Sequence, residues 1–169
     1  MTLTAQQQQI IHQQLGRTPR GIVKIAAETA NGIPLVLQMR SLVDDQPFPT
    51  LYWLSSKTLA KAIGTIETQG WVKTIEQRLQ EDELLREQFL QNQRDYVNSR
   101  WQKMDNEDKA RIEQLGFSPL YEQYGIGGIT QWDKVRCLHM QYAHHLAEHN
   151  VIGALMDEEF QLNELAIEI

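Results

Sequence analysis

Apolar positions in this chain repeat with two different periods, which separates a short sheet-forming segment from a long helical remainder. Val23, Ile25 and Ala27 alternate with Lys24, Ala26 and Glu28, the spacing of a half-buried strand, and Leu35, Leu37 and Met39 repeat it on a return strand. Asn31-Gly32 lies between them and predicts a two-residue hairpin turn, because both residue types tolerate positive φ. In "PFPTLYWLSS", Pro47 and Pro49 exclude helix, and "TLYWL" has the aromatic, branched character of a third short strand. Ahead of the hairpin, Thr4 and Gln7 form a capping-box pattern and Gly16 supplies a stop, so 5–15 reads as a short glutamine-rich helix.

Beyond the third strand the period becomes helical. Ser55 or Ser56 caps a helix over 57–69 that Gly70 ends. From Trp71 to about Leu115 the pattern is helical, with Ile75 and Leu79 four apart and Leu90, Val97, Trp101 and Met104 on one face. A break near Met104 lets Asp105 cap a further helix that closes at Gly116. "SPLYEQYGIGGIT" reads as a glycine-bearing loop, and 131–149 as the last clear helix, with Val135, Leu138, Tyr142 and Leu146 as its core face. No internal repeat or flexible linker interrupts the pattern. The expectation is one α+β domain over 1–169, predominantly helical, with several helices covering a small antiparallel sheet made of the hairpin and the third strand.

Composition adds limits. A chain of 169 residues with 41% apolar and 22% charged residues can bury a substantial core. No apolar run approaches the roughly 18 to 20 residues of a membrane span, and the N-terminus has no signal-peptide pattern, so the expected location is cytoplasmic, away from membrane. A net charge of −6 opposes non-specific binding to nucleic acid. The single cysteine permits no internal disulfide. Charge is uneven: Arg17, Arg20, Lys24 and Arg40 face Glu28 alone in the first forty residues, whereas 157–169 is acidic throughout. That end reads as a solvated tail, or as a cover for the basic N-terminal part or for a partner's basic patch.

Candidate chemistry concentrates in "VRCLHMQYAHHLAEH", residues 135–149, which holds Cys137 and four histidines. On a continuous helix Cys137 and His144 face away from the core stripe and lie about 10.5 Å apart along the axis, too far to share a zinc ion bound at about 2.0–2.3 Å. The same projection turns Cys137 and His139 away from each other, so a Cys/His pair would need a histidine from elsewhere. His145 and His149 could chelate as an H-x-x-E-H pair, although the third ligand of such sites is missing from the pattern. His139, at the edge of the core face, is either a hydrogen-bonded structural residue or a proton-transfer group. Arg17 and Arg20 flank a rigid Pro19-Gly21 corner, a setting suited to binding phosphate or carboxylate, or to packing over aromatics. "GIGG" at 125–128 could bring backbone N–H groups to an anion but lacks the remainder of a P-loop.

Arg17, Pro19, Arg20 and Gly21, Gly32 and Pro34, "PFPTLYWL", "GIGG", "VRCLH" and the "AH" and "LA" of 143–147, in that order, resemble the bacterial DUF501 family across about 16–157. The resemblance implies no established reaction. It implies that Arg17, Arg20, Thr50, Tyr52, His139 and His144 match a shared pattern, and that relatives carry cysteines where this chain has Thr29, Asn31 and Ser56. With the cysteine that matches Cys137, four such thiols would make a structural zinc or iron–sulfur site. Thr, Asn and Ser are poor zinc ligands, so Cys137 reads as its relic and neither metal nor cofactor is expected. If those thiols meet in relatives, the 29–32 turn, Ser56 and Cys137 should be neighbours here.

The resulting expectation is a small cytoplasmic anion-binding domain, hydrolytic toward a phosphorylated small molecule. Arg17 and Arg20, with Thr50 and Tyr52, would hold the anion, and His139 or His144 would supply a proton. The alternative is a non-enzymatic interaction or regulatory module that offers the PFPTLYWL aromatics and the acidic tail to a protein partner.

Overall fold

A computed structural model describes residues 3–169. The order is α1 (Ala5–Leu15), β1 (Ile22–Glu28), β2 (Pro34–Met39), β3 (Leu42–Val43), β4 (Gln46–Pro47), β5 (Tyr52–Leu54), then α2 (Lys57–Thr68), α3 (Trp71–Glu81), α4 (Glu83–Gln102), α5 (Asn106–Leu115), α6 (Ser118–Gln123), α7 (Leu138–Ala147) and α8 (Val151–Phe160). The α+β layout expected from the sequence is the one observed: β1, β2 and β5 form an antiparallel sheet in that order, and β3 and β4 form a small separate hairpin. Among the described residues no helix is long and apolar enough to cross a membrane.

Local chemistry explains the element ends. The Thr4–Gln7 capping box starts α1, Ser56 caps α2, Asp105 caps α5, and Gly16 and Gly116 end α1 and α5 in the left-handed region. The hairpin turn differs from the expected two-residue form. Thr29 N–H bonds to Ile33 O and Gly32 N–H to Thr29 O, so Ala30 and Asn31 occupy a tight turn and Gly32, at φ 84°, makes the left-handed step. Register shifts in β1 also break the expected alternation: Ile22 and Ile25 pair with Met39 and Leu37, and Val23 is exposed. The β3–β4 hairpin, absent from the sequence reading, turns on Asp44 and Asp45, both at positive φ, which aspartate accepts better than most residues.

The sheet separates two layers. Leu37 and Met39 pack with Ile11, Ile22, Ile25, Phe48 and Trp53 on the α1 side. Val36, Tyr52 and Leu54 face the main core, built with α2, α3, α4, α7 and α8 around Ile63, Ile75, Phe89, Leu138, Tyr142 and Met156. In α4 the buried side chains are Leu85, Phe89, Asn92, Gln93, Tyr96 and Arg100, not the Leu90–Val97–Trp101 stripe, because the helix packs its polar Asn92, Gln93 and Arg100 onto backbone groups of neighbouring loops. Part of the presumed glycine loop is α6. The expected 131–149 helix begins only at Leu138, and α8, which was not expected, runs into the first residues of the expected acidic tail. Ile152 and Met156 insert into the core, Asp157 accepts from Tyr142 Oη at 2.7 Å, and Glu159 accepts from Trp71 Nε1 at 2.9 Å and Arg78 Nη1 at 2.7 Å. Asp157 and Glu159 thus bind α7 and α3, while Glu158, Glu164 and Glu168 stay exposed.

Candidate functional site

Strand alternation decides where the predicted anion ligands go. Trp53 faces the α1 side and carries the Arg17 guanidinium 5.5 Å above its ring, while Tyr52, one residue earlier, faces α7. Arg20 is paired with Asp44 at the surface. The proposed clamp therefore does not form against either histidine: Arg17 is across the sheet from them, and Arg20 already has a carboxylate. Thr50 is half-buried on the approach to β5. Of the PFPTLYWL residues offered by the interaction alternative, Leu51, Tyr52 and Leu54 are core residues, while Phe48 and Trp53 are half-buried.

Tyr52 and His144 meet in the core. Their rings stack at 6.2 Å and Tyr96 closes on His144 edge-on at 5.3 Å. Tyr52 Oη donates to Glu148 Oε2 at 2.6 Å, and Ser99 Oγ donates to Glu148 Oε1 at 2.8 Å. Burial, then the bond to Glu148, raises the Tyr52 hydroxyl well above the usual phenol range. Asn150 caps α8 through its Oδ1 and donates from Nδ2 to Gln141 Oε1 and His144 Nδ1, which leaves the His144 proton on Nε2. That Nε2 has no hydrogen-bond acceptor, and the nearest carboxylate oxygen, of Glu148, is 4.0 Å away. Burial pushes His144 down to about 4 against the attraction of Glu148 and Asp95. It is fully buried, contrary to the expectation that it faces away from the core, and no substrate reaches it here. His145 is tied to Asp157 at 3.1 Å, and although its ring lies 5.8 Å from that of His149, among the described residues the H-x-x-E-H pair joins no three-ligand cluster.

Cys137 and His139 behave otherwise. Cys137 is extended, at φ −107° and ψ 155°, and serves as the N-cap position of α7, so a helical projection does not apply to it. Its sulfur, one ring nitrogen of His139 and a Glu67 carboxylate oxygen all lie within 4.8 Å of one another. Glu67, near the end of α2, has no motif around it and was not anticipated from the sequence. Its Oε2 accepts from Leu138 N–H at 3.0 Å and its Oε1 lies 3.1 Å from His139 Nδ1. His139 Nε2 meets the Ala60 carbonyl at 3.0 Å. A carbonyl can only accept, so Nε2 carries a proton. Nδ1 then faces a carboxylate and a thiol and needs a positive charge beside it, either its own proton or a bound cation. Hydrogen bonding with Cys137, opposed by partial burial and helped by Ala60 and Glu67, raises the ring to about 9.

The glycine loop supports this arrangement. Gln93 on α4 accepts from Ile126 N–H at 2.8 Å and donates to Trp132 O at 3.2 Å. Gly127, at φ 79°, presses its backbone on the Arg136–Cys137 peptide so closely that a Cβ there would collide with the Arg136 carbonyl. "GIGG" therefore seats the cysteine segment. Of the positions where the resemblance implied thiols in relatives, Thr29 donates to Asn31 Oδ1 at 2.7 Å and Ser56 Oγ caps α2 at Leu59 N–H, so their polar atoms have local partners. Among the described residues, the groups that join Cys137 in a potential metal cluster are Glu67 and His139.

No curated protein and no solved structure matches the chain. A family model described as a protein of unknown function matches residues 25–158, most of the chain, and the protein belongs to that family, DUF501.

Proposed function

We propose that this protein is a metal-dependent hydrolytic domain for a small phosphorylated molecule, with Glu67, Cys137 and His139 as the protein ligands of a zinc-class ion. The observation that carries this reading is the orientation of His139. Its Nε2–H donates to a backbone carbonyl, the outer contact that commonly orients a metal-binding histidine, while Nδ1 points to a carboxylate and a thiol. Ligand atoms bound at about 2.0–2.3 Å in a tetrahedron stand roughly 3.3–3.8 Å apart. The 3.1 Å between Nδ1 and Glu67 Oε1 is close to that spacing.

Sulfur, imidazole and carboxylate together suit zinc, and three protein ligands leave a fourth position open, as in catalytic zinc sites. A bound ion would supply Lewis-acid polarisation of a phosphoryl oxygen at that position. Glu67 is held by Leu138 N–H and His139 by Ala60, so both are placed before any ion arrives. The substrate's negative charge would be met by the ion, in place of the arginine pair expected from the sequence.

The test is metal content and hydrolysis on the same preparations. The protein should take up one equivalent of zinc, and cobalt in its place should give the thiolate-to-metal absorption of a sulfur-ligated site. Cys137→Ser and Glu67→Gln should each weaken zinc binding at least tenfold. Turnover of a chromogenic phosphate monoester should fall with a chelator and return with zinc. Failure of the folded protein to retain zinc would overturn the metal assignment, and retention without turnover would overturn the hydrolytic one.

A further inference from the structure

A second site stands apart from Glu67, Cys137 and His139 and does not depend on them. Arg100 is fully buried on α4, yet among the described residues no carboxylate comes within 4.0 Å of it. Its Nη1 donates to Pro49 O at 2.8 Å, and its Nη2 to Tyr121 O at 2.6 Å and Tyr124 O at 2.7 Å. A guanidinium has five N–H donors, so two remain, and Nε is one of them, buried and without an acceptor. Tyr96 and Tyr121 lie 5.5 and 5.6 Å from its centre, which cushions the charge without neutralising it. A buried cation without an ionic partner is costly, and that cost invites an anion.

Arg100 borders a cavity of about 170 Å³ between β2 and the α4–α5 connection, together with Arg40, Lys103, Asp105 and Asp108. Both carboxylates are committed. Asp108 takes two bonds from Arg40, at 2.7 and 3.2 Å, and Asp105 caps α5 by accepting from Asp108 N–H at 2.8 Å. Lys103 has no carboxylate within 4.0 Å among the described residues. Three cations against two carboxylates leave the cavity walls positive in a protein that is acidic overall. Its volume equals that of about six waters, enough for a small oxyanion with part of its hydration.

We infer that this cavity binds a tetrahedral oxyanion of the phosphate class, held by Lys103 at its mouth and by the buried positive charge of Arg100 at its wall. The anion would offset the charge that the carbonyls leave uncompensated. It would also tie β2 to the start of α5.

Isothermal titration with inorganic phosphate, and separately with glycerol phosphate, at constant ionic strength would test this. Saturable binding of one equivalent is expected, with inorganic phosphate favoured if the cavity takes the free ion and the ester favoured if it takes a phosphoryl group. Lys103→Glu should weaken binding at least tenfold while leaving the circular dichroism spectrum unchanged, and Arg100→Met should abolish it if that variant folds. Binding that persists unchanged in the presence of a chelator separates this site from the metal reading. No saturable binding to the folded parent, or unchanged affinity in Lys103→Glu, would overturn the inference.

Discussion

Glu67 Oε1 on α2 lies 3.1 Å from His139 Nδ1 on α7, and the other oxygen of the same carboxylate receives Leu138 N–H. One side chain thus joins two helices and sets the first turn of α7. Glu67→Ala should cost about 1–3 kcal/mol in urea denaturation, since it leaves both the Leu138 amide and the His139 ring without their acceptor. Glu67→Gln, which keeps an oxygen for Leu138, should cost less. Equal losses would mean that the amide bond contributes little.

Gly127 is the second structural requirement of the same region. Gly127→Ala must place a Cβ against the Arg136 carbonyl at a backbone conformation, φ 79°, that costs an alanine about 1–2 kcal/mol even in open space. A loss of at least ~2 kcal/mol in thermal or chemical unfolding is expected. Zinc affinity should fall with it, because Cys137 is carried on the displaced peptide. Gly128, with φ 71° but open space around its Cβ position, provides the comparison: Gly128→Ala should cost the backbone strain alone and spare the metal site.

His144 predicts an acid-sensitive core. Its folded value is depressed to about 4 by burial, below the unfolded value near 6.5, so the unfolded chain binds the proton first. Stability should be intact above pH 6.5 and decline as pH falls from there toward 4. The full contribution is on the order of 3 kcal/mol. His144→Phe, which keeps a ring between Tyr52 and Tyr96, should flatten the difference in unfolding free energy between pH 7 and pH 4.5. An unchanged slope would assign the acid loss to other groups.

Tyr52 was expected to touch an anion and instead donates to Glu148. Tyr52→Phe should destabilise by about 1.5–3 kcal/mol, the range for a hydrogen bond to a charged acceptor. The same variant should leave phosphate affinity unchanged, since neither Tyr52 nor Glu148 borders the Arg100 cavity. Equilibrium unfolding and titration of one sample check both.

Much of this protein is decided locally and was legible in the sequence. Caps at Thr4, Ser56 and Asp105, stops at Gly16 and Gly116, the hairpin and the third strand each depend on residues a few positions apart. Adjacency puts Tyr52 and Trp53 on opposite sheet faces, but the separation of Arg17 from His144 ran against the expected clamp, because only the fold seats Arg17 over Trp53. Tertiary structure alone decided the site. Cys137 meets His139 because the chain is extended at Cys137 and helical only from Leu138, a boundary for which no local capping bond gives a signal. Glu67 joins them because α2 packs beside the start of α7, a long-range contact that no spacing in the sequence records. Arg100 is buried for the same kind of reason: the carbonyls that accept its protons come from two distant segments, Pro49 before β5 and Tyr121 and Tyr124 at the end of α6, and only folding brings them to one guanidinium.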